Sequence, residues 1–184
     1  MKIIGIMGLI GSGKDAVSQY LAEKYGYEVI GMGNIVRELS KGIGRTNGRD
    51  DLQQTQKEIV EKYGWEYFAE SVIKKILKNE WDKVVINGIR RPQDAIVPKR
   101  HFGKDMTILL IDAPPKIRYK RLKQRKRESD PETFEEFTRQ EKNEIILFNI
   151  EETMKYYDHK IENTGDVKKL HKTIDEFMKK KNLS

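Results

Sequence analysis

The sequence predicts an α/β fold, a parallel sheet covered by helices on both faces. Three observations carry this. Apolar runs alternate with amphipathic helical stretches along the 184 residues. Two of the runs, Val84-Val85-Ile86 and Ile108-Leu109-Leu110-Ile111, are continuously apolar, as strands buried on both faces must be. The first run, Ile3 to Met7, passes through a glycine-rich segment straight into a helical pattern from Ala16.

The elements follow in order. Strands are expected at 2–7, 28–31, 83–87, 106–112 and 159–162, with His159 opening the last. Helices are expected at 14–25, 34–42, 51–63, 65–79, 114–127, 131–155 and 166–181. Gly42 to Asp51 is the most loop-like stretch, and the basic segment ending near Asp130 is the next. Asp130-Pro131-Glu132 reads as an N-cap followed by proline at the first helical position. Thr164-Gly165-Asp166 reads as a turn and cap before the last helix. Tyr63, Trp65, Tyr67 and Phe68 read as core rather than as a stacking platform. One domain spans 1–184, with 34–80 and 118–140 as its two insertions.

Composition narrows the function. No apolar run approaches the roughly 18 residues of a membrane span, and Met1-Lys2-Ile3 leads directly into the first strand, so no cleaved signal segment is expected. The chain has no cysteine, which excludes disulfides and cysteine-based metal sites. A cytoplasmic protein is the expectation. The net charge of +7 suits polyanionic ligands. Residues 116–127 hold eight basic side chains and no acid, but aromatic interleaving is limited to Tyr119. Nucleotides are therefore the expected partners, nucleic acid and membrane are not, and a monomer or a homodimer is expected. His101, His159 and His171 are scattered and do not form a ligand set.

The most specific signal is Gly8-x-x-Gly11-Ser12-Gly13-Lys14 between the first strand and the first helix. Its glycines let backbone N–H groups turn inward around a chain of phosphates, and Lys14 reaches the terminal ones. The following helix N-terminus adds a favourable dipole. This is a phosphate-binding P-loop with one departure: Asp15 stands where Ser or Thr is expected.

Four segments together resemble the P-loop nucleoside monophosphate kinases, the superfamily of adenylate kinase and dephospho-CoA kinase. They are the P-loop, Gly31-Met32-Gly33-Asn34-Ile35-Val36-Arg37-Glu38, Val85-Ile86-Asn87-Gly88-Ile89-Arg90, and the arginine-rich run Arg118 to Arg127. A fifth, Arg49-x-x-Leu52-Gln53, is similar to one in deoxynucleoside monophosphate kinases and archaeal relatives, some of which also carry Asp after the P-loop lysine. The resemblance implies a three-layer P-loop NTPase fold with a five-stranded parallel sheet, order 2-3-1-4-5, and a short arginine-rich lid. It also implies ATP and Mg²⁺ as cofactors, with the γ-phosphate passing to a nucleoside or deoxynucleoside monophosphate.

Within that scheme Gly8, Gly11, Ser12, Gly13, Lys14, Asp15 and Gly165 hold ATP. Arg37 and Arg90 grip the acceptor phosphate, with Arg91 as a less specific twin, and Arg45, Arg49 and Gln53 assist. Lys14, Arg121, Arg125 and Arg127 neutralise the transferring group, and Arg139 returns from the next helix. Arg118, Arg121 and Arg125 fall on one helical face, whereas Lys116, Lys120 and Lys123 read as solvated. The metal set is displaced: Asp15 supplies the carboxylate, Asn34 and Asn87 orient metal-bound waters, and Asp112 is a reserve acid. Two other readings stay open. One is phosphorylation of the hydroxyl of dephospho-CoA, which needs a general base, and the other is a P-loop NTPase or switch with an RNA-binding basic helix.

Overall fold

The computed structural model describes residues 1–46, 48–125 and 130–183, without the side chains of Arg49 and Asp50. Arg127 and the end of the basic run therefore lie outside the described residues. Five parallel strands form one sheet: β1 (Lys2–Met7), β2 (Glu28–Gly31), β3 (Lys83–Ile89), β4 (Met106–Asp112) and β5 (His159–Glu162). Their order is β2-β3-β1-β4-β5, the one the resemblance implies.

Alternation along the strands decides which layer each side chain enters. On one face Ile3, Met7, Val84, Ile86, Ile108 and Leu110 pack against α2 (Met32–Gly42) and α4 (Tyr67–Lys78). On the other, Ile4, Ile6, Val85, Leu109, Ile111 and Ile161 pack against α1 (Lys14–Tyr25) and α9 (Val167–Lys180). No helix among the described residues is long and apolar enough to cross a membrane.

The structure corrects several boundaries. The helix α5 (Pro92–Phe102) was not expected from the sequence; Pro98 inside it masks the helical pattern, while Pro92 sits harmlessly in its first turn. Buried Asp94 starts this helix by accepting the backbone N–H groups of Arg90 (3.1 Å) and Arg91 (3.0 Å). The helix expected from Asp130 begins later, as α7 (Phe134–Phe148), with Thr133 as its cap accepting from Glu136 N at 3.1 Å. Asp130 pairs with Arg125. The expected 131–155 helix also breaks at Asn149, whose left-handed φ of 52° turns the chain into α8 (Ile150–Thr153) and a short 3-10 turn. Remaining helices are α3 (Arg49–Tyr63) and α6 (Pro115–Arg125).

Candidate active site

The first four segments singled out in the sequence follow the carboxyl ends of β1, β2, β3 and β4, where open α/β sheets bind ligands. The loop after β1 carries Gly8, Gly11 and Gly13, all with positive φ, and Lys14 opens α1. At Gly13 (φ 102°) the constraint is doubled, because a Cβ there would stand 2.4 Å from Asn163 Nδ2. That amide is a structural bolt: buried Asn163 donates to Ser12 O at 2.8 Å and fixes the loop from the end of β5.

Lys14 is deeply placed. Burial, followed by the charge of Arg90, lowers its pKa from the ordinary lysine value, while Asp15 and then Glu144 oppose the shift. A cation held against its own solvation is one that an anionic ligand stabilises.

The opposite wall comes from the end of β3. There the pairing with β1 slips: Ile6 faces Asn87 but Met7 faces Ile89, which leaves Gly88 as a bulge at φ 83°. Bulges re-aim neighbouring side chains. Asn87 Nδ2 then donates to Asp15 Oδ1 at 3.0 Å, and Arg90 enters the cleft. Gly8, Lys14, Arg90, Glu144, Ile150 and Thr153 line this one cleft. Thr153 Oγ1 fixes the Arg90 carbonyl by a 2.9 Å hydrogen bond. Arg90 Nη1 lies 3.8 Å from Glu144 Oε1.

Beyond Arg90 stands Arg91, its guanidinium 4.0 Å from the centre of the Trp65 ring and 4.9 Å from that of Phe148. Its Nη1 donates to Leu147 O at 3.3 Å, and burial lowers its pKa. Of the expected core aromatics, Phe68 is buried, whereas Tyr63 and Trp65 are exposed at this rim. The reason is that α3 ends at Tyr63, its last residue, and Trp65 follows on the turn into α4.

The arginines of α6 do not act as one exposed face. Arg118 is buried; its Nε donates to Ala113 O at 2.8 Å, it reaches Ile10 O, and it forms a two-pronged pair with Glu141 of α7. Arg121 Nη2 meets Asn163 O (3.0 Å), Asn163 Oδ1 (3.1 Å) and Gly165 O (3.2 Å), and Nη1 meets Ser12 O (3.3 Å). Burial lowers its pKa. Arg125 is held by Asp130 at the outer end. Arg139 is exposed, as are Lys116, Lys120 and Lys123.

On the β2 side, Arg37 is exposed and donates to Asn34 Oδ1 at 2.8 Å. Arg45 forms a two-pronged pair with Glu58 (2.8 and 3.0 Å) and touches Thr55, which pins its loop to α3. Gln53 is exposed on α3. Asp112 is paired with Lys160 at 2.7 Å.

Among the described residues two buried side-chain oxygens find no protein partner, Ser12 Oγ inside the P-loop and Asn87 Oδ1, whose amide also meets Asp15. An amide oxygen beside a carboxylate suits a hard cation that keeps several waters, so Asp15 and Asn87 fit Mg²⁺. Among the described residues no group of three or more His, Cys, Asp or Glu could hold a metal by itself.

Glu144, Glu141, the Arg91–Trp65 stack and the side-chain role of Asn163, whose turn with Thr164 and Gly165 resembles the base-packing loop of the family, are not indicated by the sequence motifs. A signal for the two acids existed. Phe137, Glu141, Glu144 and Phe148 recur at helical spacing, and an acid on an otherwise apolar stripe points inward.

Comparison with known proteins agrees with this fold. Residues 7–138 match the family described as AAA domain. A UPF0200 protein of Methanothermobacter thermautotrophicus is 29% identical over 180 residues, covering 98% of this chain and 90% of that one. A UPF0200 protein of Methanococcus maripaludis is 32% identical over 182 residues, covering 98% and 97%. Among solved structures, shikimate kinase of Acinetobacter baumannii in complex with shikimate superimposes with a TM-score of 0.60 at 19% identity, over 100% of this chain and 96% of that one. The chain has a P-loop kinase-like fold of the nucleotide-binding class, and it belongs to the UPF0200 family.

Proposed function

We propose that the protein transfers the γ-phosphoryl group of ATP to the phosphate of a small acceptor, a nucleoside or deoxynucleoside monophosphate. The observation that carries this reading is the pair of cations lining one cleft, Lys14 from the P-loop and Arg90 from the end of β3. Phosphoryl transfer asks the protein mainly for positioning and charge neutralisation. Gly8 to Lys14 and the N-terminus of α1 take the donor phosphates, and Arg121 and Arg125 approach them from α6. Arg90 takes the acceptor, assisted by Arg37 from α2; Arg45, Arg49 and Gln53 are kept as assisting residues on the sequence resemblance alone. An ionised acceptor oxygen attacks the γ-phosphorus, the bond to the ADP oxygen breaks, and its electron pair leaves with ADP. No general base is required.

Asp15 and Asn87, with Asn34 further out, would hold Mg²⁺. The ion, when bound, spreads the charge of the phosphates. Asn163 keeps the P-loop backbone in place, and the turn to Gly165 lies where a base would pack.

A second reading, transfer to a hydroxyl, is favoured by Glu144, a carboxylate in the same cleft that could accept a proton. Likeness of fold to shikimate kinase is consistent with it. An assay of Mg-ATP against ribo- and deoxynucleoside monophosphates, dephospho-CoA and shikimate, following ADP and phosphorylated product, separates the two. Product from one class of monophosphate is expected. Product from a hydroxyl acceptor alone would replace the first reading with the second. ADP formed without acceptor dependence would indicate an NTPase. In the same assay Asp15→Ser is expected to shift the Mg²⁺ requirement upward; an unchanged requirement would remove Asp15 from the metal set.

A further inference from the structure

Two acids on one face of α7 meet two arginines, and the two pairs differ in kind. Glu141 and Arg118 form a closed pair, with side chains 13% and 3% exposed. Every prong of the Arg118 guanidinium is used. Glu144 and Arg90, one turn further along, are 30% and 42% exposed, 3.8 Å apart, and share no hydrogen bond. Glu144 nevertheless lines the cleft with Lys14 and Arg90, and its charge reaches Lys14. An open pair of this type is weak, whereas a two-pronged arginine–phosphate contact is strong.

We infer that Glu144 is a built-in competitor for the acceptor arginine and so sets specificity: it occupies Arg90 until a phosphomonoester dianion displaces it. The inference rests on the phosphate-acceptor reading and names the feature of the acceptor that is selected, its doubly charged phosphate. A neutral group gains little from Arg90, and a singly charged group gains less than a dianion, so competition by the carboxylate weighs most against them. A dianion gains a second charge-assisted hydrogen bond and leaves Glu144 free to turn to solvent. Glu144 is thus a positioning residue that acts through Arg90, with no part in bond making or breaking.

The test uses the full chain and Glu144→Gln, which keeps the shape and removes the charge. Binding of AMP, dTMP and inorganic phosphate is titrated without ATP, at low and at high salt. Glu144→Gln is expected to tighten phosphate binding by about two- to fivefold. The gain should shrink as salt rises and disappear in the Arg90→Ala background, where nothing remains to compete for. With a turned-over acceptor, its KM should fall by a similar factor while the KM for ATP is unmoved. Unchanged or weakened phosphate binding in Glu144→Gln would overturn the inference. So would a gain that persists without Arg90. A collapse of kcat with loss of the acid limb of the pH–rate profile would make Glu144 a base, which also overturns it. If phosphate binding tightens as expected but no monophosphate is ever phosphorylated, the acceptor reading fails while the competition stands.

Discussion

At the scale of single residues, the site is built from side chains that hold other parts of it. Asn163 fixes the P-loop, Asp94 fixes the Arg90–Arg91 turn, and Thr153 fixes the Arg90 carbonyl. Arg118 illustrates the difference between charge seen in a sequence and charge available to a ligand. It stands in the most basic run of the chain, yet it is buried and fully engaged with Glu141 and backbone carbonyls. Removing one member of a buried pair leaves the other uncompensated, at about 3–5 kcal/mol. Arg118→Met is therefore expected to lower stability by about that amount in denaturant titration. The double change Arg118→Met with Glu141→Leu should recover most of it. A loss below ~1 kcal/mol for the single change would show that Arg118 is solvated and free to act as a lid residue.

Elements repeat the lesson with the loop that joins α2 to α3. Arg45 holds Glu58, and Asp51 accepts from Thr46, so the most loop-like stretch of the sequence is tied at both ends. Hydrogen bonding from Arg45, followed by that from Gln54, lowers the Glu58 pKa. Hydrogen bonding from the Thr46 side chain and backbone lowers that of Asp51. The sign follows from the direction. A depressed carboxylate contributes stability that is whole above its ordinary value and is lost as pH falls through the lower folded value. The protection of amides at the start of α3, relative to their intrinsic exchange rates, is expected to fall on acidification below the ordinary carboxylate range, before that of the sheet does. A uniform fall in loop and sheet would contradict it. The elements themselves were legible wherever periodicity was clean. β1, β3 and β4 follow from apolar runs, and Asp166 caps α9 as its sequence indicates, accepting from Lys169 N at 2.8 Å. What was not legible was decided by longer-range contacts. Asp130 looks like a cap but answers Arg125, and α5 forms despite Pro98 because Ala95 and Val97 are buried against its neighbours. The break at Asn149 leaves no periodicity signal, because the helices on either side of it keep apolar residues.

For the whole molecule, the sheet order is the fact from which the site follows. Placing β1 between β3 and β4 sets the P-loop beside the bulged end of β3 on one flank and the root of α6 on the other. The sequence motifs named the donor loop and Arg90 because both are local and lie at strand ends. They could not name Glu144 or Asn163, whose roles exist only once α7 and the end of β5 are folded back onto the P-loop. On the proposed function, the two walls of one cleft serve the two halves of a transfer reaction, Lys14 the donor and Arg90 the acceptor. The most direct test is the kinetics of Arg90→Ala, with ATP affinity measured separately by equilibrium binding. The expected result is a fall in acceptor-dependent turnover of about 10²-fold or more, with ATP affinity changed far less than turnover, since Arg90 bears on Lys14 through its charge from the opposite wall. Loss of ATP binding together with turnover would place Arg90 on the donor side and contradict the assignment.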